Sequence, residues 1–210
     1  MDSGTQFGVL LVGVLVPVFG LMWWFSPEQK AKRLLRATPA VPAMGVMPGQ
    51  RVKISGTVHL LDHMEAPLSG VPCAYWRILI EVPQGKNSWR TVVDDSASRP
   101  FLVDDGSGEV VQVAPGAARL VVDTDRTGAT GMLDNPTDSE AAVLRRYKLT
   151  DTLMGFNRRY RFTEAILYEG EVVSVMGEVT LADTGGGTRL ALVAPQGGEL
   201  VVCDARGVHG

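Results

Sequence analysis

Apolar positions fall in two regimes along this chain. From Phe7 to Phe25 (FGVLLVGVLVPVFGLMWWF) they are almost continuous and no charged residue interrupts them. At about 1.5 Å per residue that run reaches roughly 28 Å as a helix, close to the hydrocarbon thickness of a bilayer. From Arg51 onward apolar and polar positions alternate instead, the period-2 signature of half-buried strands. Val52, Ile54, Val58 and Leu60 predict a first strand whose pattern slips at Ser55-Gly56, where Gly56 suggests a bulge or sharp bend. Cys73 to Val82 (CAYWRILIEV) is nearly all apolar or aromatic and predicts the central strand of the core. Phe101–Val103 and Val110–Val113 flank Asp104-Asp105-Gly106-Ser107-Gly108 and predict a hairpin. Arg119 to Asp123 adds a further strand, and Asp123 to Asn135 reads as loop.

Thr137 and Glu140 have capping-box spacing and open a short helix carrying Ala141, Leu144 and Tyr147. Phe162–Leu167, a turn at Glu169-Gly170 and Val172–Leu181 predict a long hairpin, followed by strands over Arg189–Val193 and Leu200–Cys203. The intervening Gly185-Gly186-Gly187 reads as a turn, since a phosphate loop would need a following Lys-Ser/Thr and a helix start. Val52-x-Ile54-x-Gly56-x-Val58-x-Leu60-x-Asp62 is echoed by Val173-x-Val175-x-Gly177-x-Val179-x-Leu181-x-Asp183. The fold class expected is mainly β: a compact β-barrel or sandwich, OB-like and pseudo-repeated, with one short helix, after an N-terminal transmembrane helix. Tyr75, Ile78, Ile80, Val103, Ile166, Val173 and Val175 are expected to be buried together.

Charge changes this picture first at the membrane. The start, Met1 to Gln6, has no Lys or Arg, and the cleavage-like Val41-Pro42-Ala43 lies far past the apolar run, so a retained anchor is favoured over a signal peptide. Lys30, Lys32, Arg33 and Arg36 follow it and place the following domain in the cytoplasm. The organisation expected is an extracytoplasmic tail over 1–6, a span over 7–25, a basic flank and Pro/Ala/Gly linker over 26–50, and a β-domain over 51–205. The bilayer is the expected partner, together with an unidentified protein. A formal net charge of −3 argues against nucleic acid.

Candidate chemistry is sparse. Cys73 and Cys203 lack CxxC spacing and are expected to be free thiols. His59 and His63, with Asp62 between them, are the best metal-like cluster, but further ligands are missing and a surface turn explains them better. Asp94-Asp95 and Asp104-Asp105 are paired carboxylates; the second pair, with Glu109, faintly resembles a calcium loop but lacks its spacing and reads as turn-forming aspartates beside glycine. No catalytic triad has supporting context, and neither catalytic residues, metal nor cofactor is expected. Arg145, Arg146, Lys148, Arg158, Arg159 and Arg161 concentrate positive charge among Tyr147, Phe156, Tyr160 and Phe162. Two readings stay open: a surface for anionic lipid, nucleic acid or an acidic partner, or solvated cations around core aromatics.

Three stretches carry a resemblance: GTVHLLDHMEAPLSGVPCAYWRILIEV, FLVDDGSGEVVQV and NRRYRFTEAILYEGEVVSVMGEV, covering most of residues 51–181. With Gly56, Pro67, Gly70, Pro72, Cys73, Trp89, Asp104, Gly108, Arg161, Glu164 and Gly170 in order, the chain resembles the GIDE-type domain. That is the membrane-flanking domain of mitochondrial membrane-anchored E3 ubiquitin ligases, found also in bacterial and archaeal membrane proteins. The resemblance implies a β-domain beside a membrane, and by family an E3-type function. The ligases carry two spans and a zinc-binding RING of about eight Cys/His ligands; here there is one span, and near the chain's end only Cys203 and His209. The expectation is therefore a prokaryote-type, single-pass binding or scaffolding protein without ligase chemistry.

Overall fold

The computed structural model describes residues 33–86, 88–116, 119–121, 126–129, 136–149, 152–153, 156–157, 159–183 and 187–204. The predicted span lies outside the described residues, as do Lys30, Lys32 and Arg158. Among the described residues no helix is long and apolar enough to cross a membrane. Two compact units divide at Pro39/Ala40. In the first, residues 33–37 are helical and carry Arg33 and Arg36.

The second unit is mainly β. Its elements are β1 (Arg51–Leu60), β2 (Met64–Glu65), β3 (Pro72–Pro83), β4 (Trp89–Ser98), β5 (Phe101–Asp104), β6 (Val110–Val113), β7 (Arg119–Val121) and β8 (Arg126–Ala129). Then come α1 (Asp138–Arg146), β9 (Thr152–Leu153), β10 (Phe156–Asn157), β11 (Arg161–Tyr168), β12 (Val172–Asp183), β13 (Thr188–Val193) and β14 (Val201–Asp204).

Five strands close a ring: β1, β5, β6, β13, β12 and back to β1. Every neighbour is antiparallel except β6 and β13, which run parallel. Inward positions of the ring strands (Ile54, Val58, Phe101, Val103, Val111, Val113, Val173, Val175, Val179, Leu192) fill the interior, as side chains must in so small a closure. The two echo segments pair with each other: Val52 faces Gly177, Ile54 faces Val175 and Gly56 faces Val173. Each glycine marks where its strand changes partner. A Cβ on Gly56 would lie 2.3 Å from the Asp104 carbonyl oxygen, and one on Gly177 would lie 2.7 Å from that of Val193. Only glycine permits those crossings.

A second, open sheet runs β4–β3–β11–β8, with β2 extending the β4 side of β3. One face (Trp76, Ile78, Ile80, Phe162, Ile166) packs with Tyr160 and with Val143 and Leu144 of α1. The helix starts as the sequence reads: Thr137 accepts the Glu140 N–H, and the Glu140 carboxylate accepts the Thr137 N–H at 2.8 Å.

Four expectations change. Glu169-Gly170 does not close a hairpin, because β11 and β12 belong to different sheets and the turn carries the chain between them. It docks on β1 instead, Gly170 N–H donating to Val58 and Val58 N–H donating to Glu171. The predicted loop after Asp123 contains β8, and β4 is a strand that alternation did not mark. Residues 40–50 are built into the second unit rather than forming a linker: the Gly49 N–H donates to Val179 and the Val179 N–H to Gln50, each at 2.8 Å. The predicted core residues are all buried, but in two clusters. Tyr75, Val103, Val173 and Val175 line the ring; Ile78, Ile80 and Ile166 lie beneath α1.

Candidate functional site

The residues that carry the resemblance gather at three places, and two of these are architectural. At the first, Glu164 of β11 is fully buried, and its carboxylate accepts the N–H groups of Leu68 at 2.7 Å and Ser69 at 3.0 Å. The Ala66–Val71 loop wraps this anion, closed by Gly70 N–H to Ala66 and Ala66 N–H to Val71, with Gly70 at φ +67°. Pro67 and Pro72 fix the loop's ends. Cys73 lies beside it, its Sγ 3.4 Å from the Met64 carbonyl. Burial, helped by the Glu164 charge, pushes its thiol up to about 11, so it is a small core residue rather than a nucleophile. Cys203 is also buried and in no disulfide.

At the second place Gly56 crosses β5 against Asp104, and the following turn is tied by its own aspartates. Asp104 Oδ1 accepts the Gly106 N–H at 2.8 Å, and Asp105 Oδ1 accepts that of Ser107 at 3.0 Å. Asp105 Oδ2 accepts the Ala43 N–H at 2.6 Å. Burial raises the Asp105 carboxyl, and the hydrogen bonds from Ser107 and Ala43 outweigh it and bring it below its usual range. Gly108 and Gly170 supply positive φ in their turns.

The third place is exposed. At one end of the open sheet Arg161 Nε and Nη2 reach Glu81 Oε2 at 2.7 and 2.6 Å. Its guanidinium lies 4.8 Å from the Trp89 ring centre, and that of exposed Arg159 lies 5.7 Å away. Two cations thus share one half-buried indole. A second stack sits by α1: Arg146 is 5.2 Å over Trp76 and 5.6 Å over Tyr147. Tyr147 Oη donates to Asp95 at 2.7 Å; burial first, then Asp95, push its hydroxyl up to about 12. On the opposite face Arg77 grips Asp94 through two 2.9 Å bonds, which hold that carboxyl below its usual range.

The basic stretch therefore divides. Tyr160 and Phe162 are core residues, tilted rings 6.2 Å apart. Arg159 and Arg161 join Trp89, and Arg146 joins Trp76. Arg145 and Lys148 are exposed at the C-terminal end of α1, where the helix dipole favours cations. Phe156 side-chain placement lies outside what is described. Glu81 is not marked by the sequence, and the Asp94-Asp95 pair, named there only as paired carboxylates, lies within strand β4; strand register places all three beside the cations. Guanidiniums laid on indole faces keep edge donors for phosphate or carboxylate oxygens.

The histidines take separate roles. His59 Nδ1 meets Glu169 Oε1 at 2.7 Å, and Glu169 Oε2 accepts the Leu60 N–H at 2.6 Å; this N–H, then His59, hold the Glu169 carboxyl low. Asp62 accepts the N–H of exposed His63. Among the described residues no group of three His, Cys, Asp or Glu side chains could hold a metal ion. An open cleft of about 510 Å³ beside Gly56 is lined by Ser55, Thr57, His59, Asp104 and Val172. Comparison with protein-family models, characterised proteins and solved structures finds no match to the chain.

Proposed function

We propose that this protein is a single-pass, membrane-anchored binding or scaffolding module whose GIDE-like β-domain works at the cytoplasmic face of the bilayer. The observation that carries the binding role is the paired Arg159–Trp89–Arg161 stack, which presents oriented guanidinium groups on an open sheet while other charged groups fasten loops. Location rests on the uncharged run from Phe7 to Phe25 and the basic cluster after it.

The finer fold proposed is OB-like. The ring order, with a parallel pairing of β6 and β13 and a helix-bearing connection before β12, supports that reading. The open sheet would then be an elaboration on the barrel, and the mutual pairing of the two echo segments supports a pseudo-repeat. Membership of the GIDE-type group is proposed on its motif residues, whose distant pieces meet: the Ala66–Cys73 run with Glu164, and Gly56 with Asp104. Its E3-type function is not carried over. Paired thiolates for a RING are lacking in a chain whose two cysteines are both buried.

The reading has a direct test. The full-length protein should float with membranes, resist alkaline carbonate, and lose residues 40–204 to protease added on the cytoplasmic side. Release by carbonate, or protection from that protease, would overturn the location. Crosslinking in native membranes should trap a partner that is lost when Trp89→Ala and Arg161→Ala are combined. A partner retained by that double variant would overturn the assignment of the face.

A further inference from the structure

Residues 40–50 are fixed in place yet apolar on their outer side. Val41 N–H donates to Lys53 at 2.9 Å, and Met44 N–H donates to Ser107 Oγ at 3.0 Å. Ala43 is fully buried in the ring's core cluster. The backbone is thus anchored at both ends and in the middle. Nevertheless Met44 is 61 % exposed, Met47 64 % and Val41 37 %. Val41 and Met44 rim a shallow cleft with Pro42, Val46 and Val52. An ordered stretch that holds unbranched thioethers in water has foregone available burial, and such patches mark contact sites.

Charge and connectivity identify the contact. From Lys30 to Leu61 the chain has no carboxylate, while Lys30, Lys32, Arg33, Arg36 and Arg51 are cationic; Lys53, in the same stretch, is buried. Such a stretch matches an anionic surface. The apolar run ends at Phe25, and the connecting residues reach at most roughly 50 Å when fully extended. The patch is therefore tethered within reach of whatever bilayer holds the run.

We propose that residues 41–47 form a second membrane contact, in which Val41, Met44 and Met47 enter the headgroup region of an anionic bilayer. This inference rests on the anchored reading above and adds to it how the domain is oriented. The anchor fixes the distance of the domain, and the strap presents one side of the barrel to lipid.

The test uses full-length protein reconstituted into phosphatidylcholine–phosphatidylglycerol vesicles. An environment-sensitive fluorophore is attached at Met44→Cys, Met47→Cys or, as a control, Ser139→Cys on exposed α1. The native cysteines are both buried and leave the labelling selective. Labels at 44 and 47 should be quenched by nitroxide lipids at least about twofold more than the label at 139, and be protected from aqueous iodide. Floating vesicles with all three labels equally open to iodide would overturn the strap contact and leave the anchor standing. Labels at 44 and 47 shielded from both quenchers would mean a protein surface covers them, which also overturns it. Protein that fails to float would overturn the anchor and the strap together.

Discussion

The closed ring and the open sheet solve the same problem differently. In the ring, β1 and β12 each pair on both sides, so main-chain groups are satisfied by closure and the core cluster is aliphatic apart from Phe101 and Tyr75. The open sheet has no such closure. Among the described residues its edge strand β4 pairs only with β3, and it carries Asp94 and Asp95, charges that discourage edge-to-edge association. Its core contains Trp76, Tyr160 and Phe162 and buries the carboxylate of Glu164. The ring is a frame whose tolerances are steric. The open sheet is held by specific polar bonds and offers the exposed cations. Chemistry is therefore expected on the second and rigidity from the first.

The strongest way to break this contrast is at the ring's crossing. Gly56→Val should cost about 3 kcal/mol or more in urea unfolding, because backbone of β5 occupies the space its side chain needs. Gly106→Ala, where nothing lies within 4 Å but φ is +76°, should cost only about 1 kcal/mol. Equal costs would show that the crossing is not the ring's weak point. In the open sheet, Glu164→Ala should cost about 2 kcal/mol, since two half-buried N–H groups lose their acceptor. Amide exchange at Leu68 and Ser69 should accelerate before that of the ring strands. Uniform acceleration would mean the two regions unfold as one.

Acid sharpens the contrast further. Asp94 and Asp105 have carboxyls held below their ordinary value in the folded chain. Their contributions are present above the unfolded value near 3.8 and are lost as pH falls through the folded one. Asp94 is half exposed, so its share is below about 1 kcal/mol. Asp94→Asn and Asp105→Asn should each flatten the fall of the urea midpoint below pH 4, and Asp105→Asn should also loosen residues 40–50 in amide exchange. An unchanged acid limb would remove both pairs from the account.

The smallest effect should be a gain. Lys148 adopts φ +53° after α1, in a turn closed by Lys148 N–H to Arg145 and Leu149 N–H to Leu144. Lys148→Gly should raise stability by up to about 1 kcal/mol, read as a higher melting temperature. A loss would show that its charge at the helix end outweighs the backbone cost.

Much of this architecture was legible before any coordinates. Alternation located β1 and β12, because a strand packed on one face must repeat every second residue, and short or continuous apolar runs located β3, β5, β6, β11 and β13. Thr137 and Glu140 marked the start of α1 because unpaired helix amides demand such partners, and Asp-Gly turns marked the tip between β5 and β6. The edge strand β4 was not legible: Arg90, Asp94, Asp95 and Ser96 break up any alternation, although Val92, Val93 and Ala97 pack against the core beneath α1. Short β8 hid in a run of Thr, Gly and Asp. Of the site, the cationic residues and Trp89 could be named, but Glu81 and Asp95 could not be assigned to them.

The sequence by itself determined which residues turn inward, where the chain must turn, and that an uncharged run precedes the domain. Those follow from local sterics and from periodicity. Only the tertiary structure decided that β11 and β12 part at Glu169-Gly170, that the inward residues divide between two cores, and that the 40–50 stretch joins the barrel. Periodicity fixes the face of a strand but not its neighbour. The neighbour is chosen by closure of the ring, where Gly56 and Gly177 let each echo strand pass from one partner to the next.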